Sequence, residues 1–429
     1  MKRLFSLLLA LLMTLSAAGL VLANPYEVTE PITITWWHAH EDQLHEYMNY
    51  MIELFHEQNP LITVEPVYIG SYTEINTQLI AAIASGDVPA LCTANTSYPP
   101  SYGAAGICEI LDPYIEAYNF PIEDFGEGLI LATTYEGKQI VLPYLISTQV
   151  MFYNKTAAEA EGIEMPKTFD EMEAFLEKAT LFNEDGTTKR YGTVFGGWDY
   201  WYYEMLFKNN GVKVILEDGL STDINGPESV YITTKMKEWI DKGYAYYAYG
   251  TGASNDMRQL FWDGGAFSVF HTSSLYDTYV QNVGDKFEVG MAWLPGGMDG
   301  ESFYSEVGGA TILIPAVAPQ KQKNAAWQFM MFMASPEMNL YWADKTGYFP
   351  TRQSVMGTPE YAEYLQRKPE MNNVVSMGSW VNPRNTHPAY DTIANEWRHA
   401  LYRIFNEDAP IQATLDQLAI TIEEILEDF

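Results

Sequence analysis

The stretch Ile32–His45, ITITWWHAHEDQLH, places three histidines, two acids and two tryptophans within fourteen residues. Three readings fit such a set: a metal cluster, an aromatic platform for a ligand, or a turn from a strand into a helix. The metal reading meets a geometric obstacle. A helical zinc motif needs two imidazoles at i and i+4 on one face. His40 and His45 are five apart, which turns them about 140° from one another around a helix. His38 precedes the helix, no Cys or second His pair joins it, and His56, His271, His387 and His399 are scattered singly. No metal and no cofactor is expected.

Other reactive constellations are also missing from the sequence. There is no GxSxG elbow and no Cys-His arrangement. The glycine-rich pieces FGGWDYW, WDGGAF and EVGGAT lack the spacing and the Lys-Ser/Thr of phosphate-binding loops. A glycosidase with paired carboxylates stays open, because 56 acids offer many pairs whose separation the sequence does not give.

The aromatic residues are a better lead. The chain has 11 Trp and 30 Tyr, with Trp36-Trp37, Trp198, Trp201, Trp262, Trp293 and Trp380 falling in loops or at strand ends. Rings with a polar tip stack on the C–H faces of sugars and polyols, while neighbouring polar groups bind hydroxyls. Core packing is the alternative for any single tryptophan. Arg384, in WVNPRNTHP, is a lone cation in a polar turn. It suits bidentate capture of an anionic or hydroxyl-rich ligand, or else a structural ion pair.

These residues must be held by regular elements. Ile32, Ile34 and Trp36 alternate with threonines as in a strand, and from His40 the period changes to helical, with Leu44, Met48, Met51, Ile52 and Phe55 on one face. LITVEPVYI reads as a second strand. A second helix after Tyr72 turns Ile75, Leu79, Ile80 and Ile83 inward and stops at Gly86-Asp87, and ALCTA is a third strand. This β-α-β-α-β order predicts an α/β fold with a largely parallel, doubly wound sheet. Further on, TTYEGKQIVLPY resembles a hairpin, QVMFYN, GGAFSVFH, FEVGMAWLP and ATILIPA read as strands, and the last third is mostly helical.

At 429 residues two domains are expected. No Pro/Ser-rich linker separates them, which favours lobes joined by several crossings. The formal charge of -32 argues against nucleic acid and anionic membranes as partners. Lys2 and Arg3 precede an apolar run, Leu4 to Leu22, and Val21 and Ala23 suit cleavage before Asn24. A signal peptide over residues 1–23 is therefore expected, with an uncleaved anchor as the rival. No Cys near the cleavage point offers a lipid anchor, so a soluble, periplasmic protein is expected. Cys92 and Cys108 fit either a disulfide or two buried thiols.

Several ordered segments resemble extracellular solute-binding proteins of bacterial ABC importers, the maltose-binding-like group. They are ITWWHAHEDQLHEYMNYMIELFHEQNPLITVEPVYIGSY, LPYLISTQVMFYNKTAAEAEGIEMPKTFDEM, FWDGGAFSVFHTSS, VGGATILIP, NAAWQFMMFMASPE and KTGYFPTR. Within that group GSY, STQVMFYN, GGWDYW, KTGYFP and PRNTHP resemble the binders of glycerol 3-phosphate or glycerophosphodiesters. The resemblance implies a two-lobed class II fold, with the ligand held between lobes joined by crossover segments. One lobe would comprise residues 24–142 plus 304–349, the other 143–303 plus 350–429. Tyr72, Ser147, Trp198, Trp201, Gly309, Tyr348 and Arg384 would line the cleft. Thr96 stands where that subfamily has an acid and His271 where it has a serine, so a neutral sugar stays open as the substrate. Trp37, His38 and His40, at the end of the first strand, are candidates for the cleft rim. The implied function is capture by a monomer, without covalent chemistry, and delivery to membrane permease subunits.

Overall fold

The first strand, β1 (Ile32–His38), buries every second residue, so that Ile34, Trp36 and His38 face inward. The computed structural model of the chain describes residues 24–40, 42–372, 381–384 and 387–429. The expected signal peptide, Trp380, and the end of the Arg384 turn at 385–386 lie outside the described residues. Helix α1 (Asp42–Gln58) follows and buries Met48, Met51, Ile52 and Phe55. β2 (Ile62–Tyr68) and β3 (Leu91–Asn95) flank β1 in parallel, in a register that sets Ile32 against Ile62 and Trp37 against Cys92.

Between them α2 (Tyr72–Ser85) opens with a reciprocal capping box. The Ser71 hydroxyl accepts the Glu74 N–H while the Glu74 carboxylate accepts the Ser71 N–H at 2.7 Å. Ile75 and Leu79 are buried as expected, but Ile80 is 53% exposed. Five residues separate Ile80 from Ile75, so it falls off the inward stripe by the same rotation that separates His40 from His45.

Beyond β3 the sheet departs from the expected parallel order. β4 (Leu142–Asn154) is 13 residues long and buried along nearly its whole length, about 40 Å of extended chain. β5 (Thr188–Gly196), β6 (Ala245–Ala248) and β7 (Ala266–Thr272) form a second parallel group, joined by β8 (Val289–Ala292). β9 (Ser305–Leu313) then returns to the first group and pairs antiparallel with β3. The short β10 (Val381–Asn382) lies beside its start.

β4 links the two groups. Its first half, Leu142 to Thr148, pairs with β9, while its second half, Gln149 to Tyr153, pairs with β7. The sheet is therefore mixed, because two long strands pass between halves that are each locally parallel. This is the two-lobed α/β fold with crossing strands.

Helices close both faces. α3 (Met172–Ala179), α4 (Pro227–Asp241) and α5 (Ala253–Trp262) cover the second group of strands. α6 (Gln320–Met333) and α7 (Pro336–Lys345) contribute Trp327, Phe329 and Trp342 to the core around Trp36. α8 (Tyr390–Glu407) and α9 (Ile411–Glu427) complete the second core through Trp397, Leu401, Leu415 and Ile422.

Cys92 and Cys108 are buried free thiols in one apolar cluster with Ile75 and Leu79. Burial pushes both thiols well above the usual range. Among the described residues no helix is long and apolar enough to cross a membrane.

One glycine at the crossing requires its missing side chain. Gly309 pairs with Ile146 at a φ of +92°, a region that disfavours side-chain-bearing residues. A Cβ there would strike the Leu145 carbonyl and sit 3.3 Å from the Tyr348 ring. Gly309→Ala is expected to lower the unfolding free energy by about 3 kcal/mol, read from urea unfolding. A stability equal to wild type would show that the crossing adapts freely.

Candidate functional site

Where the two groups of strands meet, their ends and the turns beyond them enclose a cavity of about 270 Å³. Tyr72, the first residue of α2, and Asn95, the last of β3, form part of one wall. The crossing strands supply Ser147, Gly308 and Gly309, and Tyr348 comes from the loop after α7. The opposite wall holds Asp199, Trp201 and Tyr202 from the turn after β5, Thr272 and Ser274 at the end of β7, and Arg384 just beyond β10. Crevices of open α/β sheets lie outside the carboxyl ends of strands, and β3, β5 and β7 all end here. A hydrogen bond from the Ser97 hydroxyl to the Asp391 carboxylate at 3.4 Å links the two walls.

Trp201 is held by three constraints. The Asp199 carboxylate accepts its N–H at 3.0 Å, and the Gln149 amide donates to its carbonyl at 3.0 Å. Its ring lies against the backbone of Gly308, where a Cβ would overlap the indole and sit 2.9 Å from the Ser147 hydroxyl.

Over this ring lies the Arg384 guanidinium, 5.0 Å from the Trp201 centroid and 5.9 Å from that of Tyr200. Arg384 is 9% exposed. It makes no ion pair within 4 Å among the described residues, and its Nε has no hydrogen-bond partner there. Burial disfavours its charge, but Tyr200, Asp199, Glu204 and Glu306 act on it through space and more than offset this, so the guanidinium is held in its charged form.

Burial pushes the Asp199 carboxyl up, partly offset by Arg384. It likewise pushes up the phenols of Tyr72, Tyr202 and Tyr348, which therefore remain neutral donors and acceptors. The wall thus offers one guanidinium, one carboxylate, hydroxyls and aromatic faces. Asp199 is the only carboxylate among the described lining residues, so no carboxylate pair spans the cavity there.

Of the residues singled out in the sequence, Tyr72, Ser147, Trp201, Gly309, Tyr348 and Arg384 are brought together on this cavity. The others lie elsewhere. Thr96 is buried one residue beyond Asn95, and its hydroxyl donates to the Val307 carbonyl at 3.2 Å, bracing the crossing strand. His271 lies behind the wall, stacked on Tyr202 at 4.8 Å. Trp198 packs against Tyr202 and His271 at 5.4 and 6.0 Å.

Trp37 packs against the cysteine-containing cluster. His38 and His40 are buried in an aromatic nest with Trp36, Tyr144 and Trp342 rather than on the cavity. Among the described residues no cluster of His, Cys, Asp and Glu can hold a metal ion.

Sequence reasoning passed over Asn95, Asp199, Tyr202, Thr272, Ser274 and Gly308. Asn95 and Thr272 adjoin Thr96 and His271, which lie off the cavity, and successive residues along a strand direction present opposite faces.

Comparison with known proteins follows the same lines. The model of the bacterial extracellular solute-binding proteins matches residues 50–370, most of the chain but short of Arg384. The sn-glycerol-3-phosphate-binding periplasmic protein UgpB of Salmonella typhimurium is 24% identical over 378 residues, covering 82% of each chain. UgpB of Escherichia coli K12 is 24% identical over 383 residues, covering 83% of this chain and 82% of its own. Among solved structures, UgpB from Mycobacterium tuberculosis in complex with glycerophosphocholine superposes with a TM-score of 0.80 at 21% identity, over 93% of this chain and 99% of that one. The sugar-binding protein MalE from Xanthomonas citri gives 0.79 at 18% identity, over 92% and 98%.

The buried histidines make stability depend on pH. The His38 Nδ1 accepts the His40 N–H at 3.1 Å, so in the neutral ring the proton sits on Nε2. Burial lowers the pKa of His38 to about 4 and those of His40 and His271 to about 3. The unfolded chain protonates each near pH ~6.5. Their contribution is therefore intact above that value and lost as pH falls toward the folded pKa values, at about 1.4 kcal/mol per pH unit for each histidine. His40→Phe should have a shallower fall between pH ~6.5 and ~4 in urea unfolding. An unchanged slope would remove this histidine as a cause.

Proposed function

We propose that this chain, which belongs to the bacterial extracellular solute-binding proteins, captures a small glycerol-phosphate-type polyol between its lobes and delivers it to the permease subunits of an ABC importer. The observation that carries the choice of ligand is Arg384: a buried guanidinium on the cavity wall, stacked on Trp201, with no ion pair among the described residues. Burying such a charge is costly; here the cost is offset only through space, and no carboxylate is paired directly with the guanidinium among the described residues. A phosphate oxygen pair matches its fork. The cavity of about 270 Å³ lies at the small end for ligand pockets, which suits one compact solute.

In this reading Tyr72, Ser147, Trp201, Gly309, Tyr348 and Arg384 contact the ligand, together with Asn95, Asp199, Tyr202, Thr272 and Ser274. Contacts from both walls stabilise the closed state, and β4 and β9 act as the crossover about which the lobes move. In this reading the lobes comprise 24–142 plus 304–349 and 143–303 plus 350–429, and β4 crosses between them, its pairing with β9 running on to Thr148 before β7 takes over at Gln149. The protein works as an exported monomer, with the segment before Asn24 removed. A neutral sugar is the second reading, favoured by the rings of Tyr72, Trp201, Tyr202 and Tyr348 around one small cavity.

A thermal-shift comparison of sn-glycerol 3-phosphate, glycerophosphocholine and maltose separates the two. The phosphate ligands should raise the unfolding temperature, and Arg384→Ala should weaken them about 100-fold without changing any response to maltose. Stabilisation by maltose alone, or an Arg384→Ala protein that binds the phosphates as wild type does, would overturn the anionic reading.

A further inference from the structure

Behind the cavity wall, and not lining it, lies a buried trio of charges. Glu204 follows the Trp201 turn, Lys208 lies one helical turn later, and Glu306 comes from the crossing strand β9. The Lys208 ammonium lies 3.0 Å from Glu204 Oε2 and is hydrogen-bonded to Glu306 Oε1. The Tyr390 hydroxyl donates to Glu204 Oε2 at 2.5 Å. One oxygen of each carboxyl group is thereby satisfied. The other two, Glu204 Oε1 and Glu306 Oε2, are buried without a partner among the described residues, and the two carboxyl groups are within hydrogen-bonding reach of each other. Two buried carboxyl groups on one ammonium leave a negative charge uncompensated, and one proton held by the pair would offset it.

The surrounding charges determine where that proton resides. Lys208 and Tyr390 favour the ionised form of Glu204, and Arg384 adds to this through space. Burial and the neighbouring Glu204 push Glu306 up to about 8, and the two titrate as a unit. The remaining groups around the pair are Tyr200 and Asp199 on the turn and Asp391 in α8.

The pair is wired to the ligand wall. The Gln149 side-chain Oε1 accepts the Glu306 N–H at 2.8 Å while its Nε2 donates to the backbone carbonyl of Trp201, whose ring lies beneath Arg384. Glu306 is also the ladder partner of Asn382, two residues before Arg384.

We propose that Glu204 and Glu306 share one proton behind Arg384, and that capture of an anionic ligand at Arg384 is accompanied by uptake of a proton at this pair. The proposal rests on the anionic reading of the cavity. An anion on Arg384 offsets the attraction that the guanidinium exerts on the pair and adds a like charge, so the pair holds its proton more tightly in the complex than in the free protein. Affinity for an anion is then greatest at neutral pH and falls once the free protein loses the proton that the complex retains. A neutral ligand shows no such fall.

Two measurements test this. Infrared spectroscopy of the ligand-free protein at pH ~7 should show a protonated carboxyl band that Glu306→Gln lacks and that disappears in wild type at alkaline pH. Absence of the band in wild type overturns the shared proton whatever ligand binds. Calorimetric titration with sn-glycerol 3-phosphate, in two buffers of unlike ionisation enthalpy near pH ~8.5, should show net proton uptake, with affinity falling about tenfold from pH ~7 to ~9.5. This range lies above the second ionisation of the phosphate, near pH ~6. In Glu306→Gln, whose amide replaces the protonated carboxyl, uptake should vanish and affinity stay level. Binding without proton exchange in wild type overturns the coupling while leaving the anionic reading intact. A protein that shows the band but does not bind this probe loses the anionic reading and the coupling together, while keeping the shared proton.

Discussion

The change of hydrogen-bond partner along β4 is the constraint on which the rest depends. One strand spends its backbone donors and acceptors on β9 up to Thr148 and on β7 from Gln149 onward. The two halves are thus parts of one ladder rather than beads on a linker. The Gln149 side chain sits at the change-over and ties Ser305, Glu306 and Trp201 together. Any twist at that point moves the ring beneath Arg384 relative to the glycines of β9. The ligand wall and the joint are therefore the same set of atoms.

Backbone and side chain divide the labour within the cavity. Gly308 and Gly309 leave room for the Trp201 and Tyr348 rings, while Ser147 in mid-β4, and Asn95, Thr272 and Ser274 at or just past strand ends, add polar groups. Polar and aromatic groups from different strands meet only because those strands end on a common line. Such an arrangement suits recognition of a solute by shape and hydrogen bonding, and the chain belongs to a solute-binding family.

Much of this was legible in the sequence where a period was strong. Alternation around Ile32–Trp36 and the helical stripe of Met48, Met51, Ile52 and Phe55 both describe what forms. The reading weakened wherever pairing partners lie far apart. The antiparallel entry of β9 between β3 and β4 leaves no local trace, so a parallel sheet was the natural expectation. At the site the sequence points to Thr96 and His271 whereas Asn95 and Thr272 line the cavity, because sequence proximity says little about which face a strand residue presents. The Asp199 signal was available, since a short acid before Trp201 invites an Asx turn. The joining of Glu204 and Glu306 was not, because nothing local distinguishes these two among 56 acids.

The burial of Arg384 has a kinetic corollary. Its positive field must act through a protein with a formal charge of -32, and at physiological ionic strength exposed charges are screened beyond about 8 Å. The guanidinium can hold an anion that has entered but cannot draw one in from solution. Encounter is instead opposed by the acidic exterior, so for an anionic solute added salt would speed arrival even as it weakens the final contact. On the anionic reading, entry rate and residence time then respond to ionic strength in opposite senses.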